Sequence, residues 1–208
     1  MLTQYHIEIT LNSLGGRFSP RAMSAIINAN IYQDNLPGQF GHEEFHFDNN
    51  AFKKSNAYIE DQRALTVSAL QKDDPPSAWS AFGRLTHTAQ DFYAHSNYIT
   101  QWLARFEGRT PLSASEVDPV DQTLINSPDL RSGRVYYPIE FLYYIPPTRK
   151  FSLRILPKDS HAWMNLDSPE QGFNFDYAMQ AAMKRTVIEY EKTTLGYSDE
   201  MCRLFLDR

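Results

Sequence analysis

His87, Asp91 and His95 recur at four-residue intervals in the stretch 78–98, where Trp79, Phe82, Leu85 and Phe92 repeat at helical spacing. At about 3.6 residues per turn, each of the three is rotated only about 40° from the last, so they project from one side of a helix. Imidazole nitrogens and a carboxylate oxygen placed this way suit zinc: two of the groups can bind one ion while the aspartate bridges to another. A single pair at this spacing is more often a structural histidine beside a salt-bridged aspartate. Three potential ligands in succession favour the metal.

A second concentration, at 41–49, places His42, Glu43 and His46 in the His-Glu-x-x-His order of zinc peptidases. That chemistry needs both histidines on one established helix, with Glu43 as general base and a further carboxylate such as Glu60 as a ligand. Pro37, Gly38 and Gly41 lie directly upstream and leave little helix for the purpose, so a zinc peptidase is the least favoured reading. His6 and His161 are isolated in sequence, and Asp34 and Asp48 stand where a helix end and an N-cap are expected.

Helices must position these groups. The stretch 2–14 reads as a helix stopped by Gly15-Gly16, and Ser19-Pro20 has the form of an N-cap with proline at the first helical position, opening a helix through Ala22, Ile26, Asn30 and Asp34. A long helix is predicted from 48 or 49 to about 71 with Ala51, Tyr58, Leu65 and Ala69 as its core stripe, then the ligand-bearing helix at 78–98. Residues 107–132 are rich in Pro, Ser, Thr and Asp and lack periodicity, and 135–156 reads as a short hairpin or lid interrupted by Pro138 and Pro146-Pro147. Met179, Ala182, Met183, Thr186 and Tyr190 mark a last long helix ended by Gly196, followed by a short one at 198–206. These elements predict an all-α domain spanning 1–208.

Composition narrows the function further. The 208 residues suit a single core, and 13 Phe, 12 Tyr and 3 Trp supply ample material for it. The net charge of −5 provides no positive field for a nucleic-acid backbone, so charge-driven nucleic-acid binding is disfavoured. The single cysteine, Cys202, excludes an intrachain disulfide and a cysteine-built zinc site. The longest apolar run, 141–145, is far short of the roughly 20 residues that span a bilayer, and the start of the chain lacks the pattern of a secretory signal. Cytoplasmic residence is the resulting expectation.

The segment Gly83-Arg84-Leu85-Thr86-His87-Thr88-Ala89-Gln90-Asp91-Phe92-Tyr93-Ala94-His95-Ser96-Asn97-Tyr98 resembles the signature of Het-C-type proteins, which are related to the zinc-dependent phospholipase C and P1 nuclease superfamily. The resemblance extends to His6-Ile7-Glu8-Ile9-Thr10, Ala25-Ile26-Ile27-Asn28-Ala29-Asn30, His46-Phe47-Asp48-Asn49, and His161 with Asn165-Leu166-Asp167-Ser168, and leaves 107–156 as an unmatched, loop-rich insertion. It implies an all-α bundle enclosing two or three zinc ions that activate water against a phosphodiester. The implied ligands are His6, Asp34, His46, His87, Asp91, His95 and His161, with Asp48 a further ligand or a group orienting a histidine, and Asp34 or Asp91 as the bridging catalytic carboxylate. A phospholipid or small phosphodiester is the implied substrate, which makes the expected activity that of a phospholipase C-like zinc hydrolase. The departures are Asn165, where an acid is expected four residues after the late histidine, and a short spacing from Asp91 to His95. The rival expectation is a Het-C-like interaction protein with a structural metal site and 107–156 as its contact surface.

Overall fold

A computed structural model describes residues 1–39, 41–107 and 109–208, and among these the chain is helical, with strand character limited to the isolated bridges Ser96 to Ser132 and Arg134 to Ser160. In chain order the helices are α1 (Thr3–Leu14), α2 (Pro20–Ile31), the single turns α3 (Leu36–Gln39) and α4 (Glu43–His46), α5 (Phe52–Gln71), α6 (Pro75–His95), α7 (Tyr98–Ala104), α8 (Gln122–Ile125), α9 (Arg149–Ile155), α10 (His161–Met164), α11 (Asn174–Thr194) and α12 (Asp199–Leu206). Local chemistry sets the starts. Ser19 accepts a hydrogen bond from the Ala22 amide ahead of Pro20, Asp74 accepts one from the Ser77 amide ahead of Pro75, and Ser198 accepts one from the Met201 amide.

Helix α6 is the axis of the molecule and packs against α2, α5 and α11, while α1 lies on α11 and α2. From Ala81 to His95 every residue of α6 except Arg84 is buried, so this stretch of the helix has no solvent face. It approaches α2 closely at Gly83, where a Cβ would stand 2.3 Å from the Ile26 carbonyl oxygen; only glycine fits. Near the start of α6 the core is aromatic: Phe82 and Phe18 meet Phe205 at ring distances of 5.2 and 5.1 Å, both edge-on. Toward its end the buried residues become polar, and the site lies there.

Two sequence expectations need correction. The buried stripe of α5 runs Ser55, Ile59, Gln62, Thr66 and Leu70, one position away from the predicted one, and leaves Leu65 half exposed. Polar partners rotate the helix: Gln62 accepts from Arg84 of α6 at 2.7 Å, which places a nominally solvent-facing residue inside. The expected hairpin at 135–156 is instead the single 3₁₀ turns Ile139–Tyr143 and Pro146–Thr148 followed by α9. Three prolines deprive the segment of ladder donors, and the buried Glu140 carboxylate folds it onto α10 by accepting the Ala162 and Tyr136 amides. Gly108, inside the expected 107–156 insertion, lies outside the described residues.

Candidate metal centre

Eight side chains from separate segments meet at the end of α6. His6 comes from α1, Asp34 from the 3₁₀ turn Tyr32–Asp34, His46 from α4, Asp48 from the turn beyond it, His87, Asp91 and His95 from α6, and His161 from α10. All of the predicted ligands are therefore brought together. Two groupings place their ligand atoms within 4.8 Å of one another: His6, Asp34, His87 and Asp91 in the first, Asp48, His95 and His161 in the second.

Asp91, fully buried, lies between the two. Its Oδ2 is 2.9 Å from His46 Nδ1 and 3.1 Å from His87 Nε2, while its Oδ1 is 3.2 Å from His6 Nε2 and 3.8 Å from His95 Nε2. Asp34 closes the first group at 3.7 Å from His87 Nε2 and 3.9 Å from His6 Nε2. In the second group Asp48 Oδ1 is 2.9 Å from His161 Nδ1 and 3.5 Å from His95 Nδ1, a placement open to either of the two roles the sequence offered for it. Asp167 joins from the other side, 3.2 Å from His95 Nε2 and 3.6 Å from His161 Nε2. The Met1 amino group also enters, 2.6 Å from Asp91 Oδ1 and 3.3 Å from Asp167 Oδ1.

The backbone around the second group is built for it. Phe47, Asn49 and Asn50 have φ near +57°, a left-handed conformation that wraps the chain tightly around Asp48. The Asn49 and Asn50 side chains accept the amides of Val135 and Ser132, and the Gly133 amide donates to the His95 carbonyl. His161 then hangs from the Arg134 carbonyl through its own amide. A Cβ on Gly133 would stand 2.5 Å from the His161 Cα, so this close approach also requires glycine.

Four of the five histidines at the centre follow one pattern, whereas the fifth, His87, has a buried Nδ1 that forms no hydrogen bond among the described residues. The nitrogen away from the centre meets an oxygen: Gln90 Oε1 at 2.6 Å for His6, the Gly38 carbonyl at 3.3 Å for His46, the His46 carbonyl at 2.8 Å for His95, and Asp48 for His161. A carbonyl only accepts, so in His46 and His95 the outer nitrogen carries a proton and the inner nitrogen is the one turned toward carboxylate oxygens. Where such an inner nitrogen gives up its proton, its lone pair and the carboxylates repel unless a cation stands between them. His6 Nε2 and Asp34 Oδ2 are buried and form no hydrogen bond among the described residues. Orphaned atoms of this kind fit an ion of the zinc type, which takes nitrogen and carboxylate ligands.

Electrostatics agree with a cation-holding centre. Burial disfavours the Met1 ammonium, yet Asp91, Asp167 and Asp34 override it and raise its pKa to about 11. Burial would raise Asp91 and Asp167, but the same ammonium and the neighbouring histidines hold both well below the usual carboxylate range. Burial likewise opposes the charged forms of His46 and His161, but Asp91 raises the first, and Tyr144, Asp48 and Asp167 raise the second well above its ordinary value. Burial pushes His87 down to about 4, leaving a neutral ring with a free lone pair.

The centre opens on a cavity of about 350 Å³, with Asp34, Asp48, His95 and His161 on its charged side and Phe141 and Tyr144 on its apolar side. His42 and Glu43 take no part. His42 precedes α4 rather than lying within it, binds Glu44 at 3.0 Å and stacks on Phe45, while Glu43 pairs with Lys54 and Glu60 with Arg63. The peptidase pattern is therefore not assembled, because one turn of helix cannot carry both histidines. The sequence reading did not place Asp167 or Glu140 in the site. Asp167 enters because α10 ends at Met164 and the chain continues extended from Asn165, which no helical spacing encodes.

A family model described as the VWA7 N-terminal domain matches residues 5–112. The chain is 30% identical over 89 residues to von Willebrand factor A domain-containing protein 7 of Rattus norvegicus, covering 41% of this chain and 10% of that protein. It is 32% identical over 78 residues to the Homo sapiens protein of the same name, covering 38% and 9%. The match thus spans about a tenth of the length of these relatives, and no solved structure matches the chain. These findings overturn the Het-C-type relationship and, with it, the phospholipase C-like phosphodiester hydrolase and its phospholipid or phosphodiester substrate. The His-x-x-x-Asp-x-x-x-His spacing reflects what a helix needs to face one centre, a requirement of geometry that is not particular to one enzyme family. The all-α class stands, and among the described residues no helix is long and apolar enough to cross a membrane.

Proposed function

Taking as premise that this chain belongs to the VWA7 N-terminal domain family, we propose that the domain is a metal-binding helical module holding two zinc ions at the end of α6. The first ion is held by His6, Asp34, His87 and Asp91 with His46 beside them; the second by His95 and His161, with Asp48 behind the ring and Asp167 in front. The observation that carries the reading is the convergence of imidazole nitrogens on carboxylates, with the outer nitrogens of His6, His46, His95 and His161 already engaged by oxygens. Bound there, the ions supply positive charge to a buried cluster containing Asp34, Asp48, Asp91 and Asp167, and they tie α1, α4, α6 and α10 into one unit.

Zinc content per chain, measured by mass spectrometry on native protein after dialysis against zinc, tests the reading. The expected result is two ions in the wild type, with at least one lost in His87→Ala and both affected in Asp91→Asn, since Asp91 faces both groups. A wild-type protein that keeps no zinc would overturn it.

A further inference from the structure

Behind His6, on the side away from the centre, lies a polar network of Thr10 on α1, Asn30 on α2, Thr86 and Gln90 on α6 and Thr186 on α11, all fully buried, in which Asn30 Oδ1 alone has no partner among the described residues. Each threonine hydroxyl donates to a carbonyl of its own helix: Thr10 to His6, Thr86 to Gly83 and Thr186 to Ala182, each at 2.8 Å. With those protons committed, the three hydroxyls can only accept further hydrogen bonds. Gln90 Nε2 sits 3.2 Å from both Thr10 Oγ1 and Thr186 Oγ1, so the nitrogen of the amide must face them and its oxygen must face His6. Asn30 fits the same logic. Its Nδ2 donates to the Thr86 hydroxyl at 3.1 Å and gives its other proton to Gln90 Oε1 at 3.2 Å.

We infer that Gln90 is a positioning residue that locks the tautomer of His6. Its oxygen, fixed in place by two hydroxyls that cannot donate to it, accepts from His6 Nδ1 at 2.6 Å and so requires the ring proton on Nδ1. The lone pair is then held on Nε2, which faces Asp91 Oδ1 at 3.2 Å and Asp34 Oδ2 at 3.9 Å. Without the lock, the proton would move to Nε2, where Asp91 would accept it, and His6 would be lost as a ligand while remaining in the same place. Hydroxyls on α1 and α11 thereby set the ligand state of a ring at the centre of the bundle.

The inference rests on the metal reading for its purpose, but it can be tested without metal. In metal-free wild-type protein, ring nitrogen-proton NMR correlations are expected to show His6 protonated on Nδ1. In Gln90→Leu the proton is expected to shift to Nε2, and zinc affinity, measured by competition with a chromophoric chelator, is expected to fall about 10–100-fold. Gln90→Glu keeps an acceptor opposite Nδ1 and is expected to return the proton there. The double variant Thr10→Val, Thr186→Val removes both acceptors of the Gln90 amide nitrogen while Asn30 still donates to its oxygen, and is expected to give a partial shift of the tautomer and an intermediate loss of affinity. It also serves as the test if Gln90→Leu does not fold. A wild-type His6 protonated on Nε2, or tautomer and affinity unmoved in the variants, would sink the lock. An Nδ1-protonated His6 in a protein that binds no zinc would uphold the lock and overturn the metal reading instead.

Discussion

At the residue scale, the molecule separates two kinds of buried charge. Around α6 the carboxylates and histidines converge on a centre, whereas on α11 Glu189 is a closed ion-pair hub whose buried carboxylate meets both Arg63 and Arg185. Burial opposes its ionised form, but Arg185 and Arg63 override this and lower its pKa. A depressed acid contributes stability that is complete above the ordinary glutamate range and is lost as pH falls through the folded value. Glu189→Ala leaves two arginines facing each other and is expected to cost about 3–5 kcal/mol, read as a drop of roughly 10 °C in melting temperature at neutral pH. His87→Ala, by contrast, removes a neutral ring and is expected to change zinc content far more than it changes the fold of the metal-free chain. Equal losses of stability in both variants would show that the two clusters do the same work.

At the element scale, two glycines set distances that decide the site. Gly83 lets α2 lie against α6, and Asn30 reaches Gln90 across that contact. Gly83→Ala drives a methyl group into the Ile26 carbonyl and is expected to cost about 1–3 kcal/mol in chemical denaturation. Gly133→Ala pushes on the His161 backbone, so its expected effect is selective: the second ion is lost while the first, held by α1 and α6, stays. Loss of both ions together would show that the two groups bind as one. The sequence located the helices well because caps such as Ser19 and Asp74 act within one turn, but it rotated α5 incorrectly. Nothing local in 52–71 says that Gln62 will find Arg84, and hydropathy alone assigns Leu65 to the core in its place.

At the scale of the whole molecule, the metal reading predicts how stability responds to pH. His46 and His161 have raised folded pKa values, so in the metal-free protein they contribute stability that is present below the ordinary histidine range and lost as pH rises through their raised values. Zinc must displace those protons, so its affinity rises with pH. The gain in melting temperature on adding zinc is therefore expected to grow between about pH 6 and pH 8, reaching roughly 5–10 °C once the free ion exceeds its dissociation constant about 100-fold. Calorimetry with zinc and with a chelator checks this. A gain that shrinks with rising pH would contradict proton displacement at these two histidines.

What the sequence by itself determined is the all-α class, most helix starts, and the shared face of His87, Asp91 and His95 on one helix; His6, Asp34, His46, Asp48 and His161 were named as ligands only through a resemblance that does not hold. Those features are legible because helical spacing, capping and the pairing of His87, Asp91 and His95 act over a few residues. Only the tertiary structure decided that His42 and Glu43 stay outside, that Asp48 meets His161, that Asp167 faces His95, that Glu140 holds the Ala162 amide, and that Gln90 meets His6. Each of these depends on which segments meet across the fold: Gln90 with α1 and α11, Glu140 with α10, Asp167 with α6. Such contacts are fixed by packing a shared core, which no spacing along the chain records.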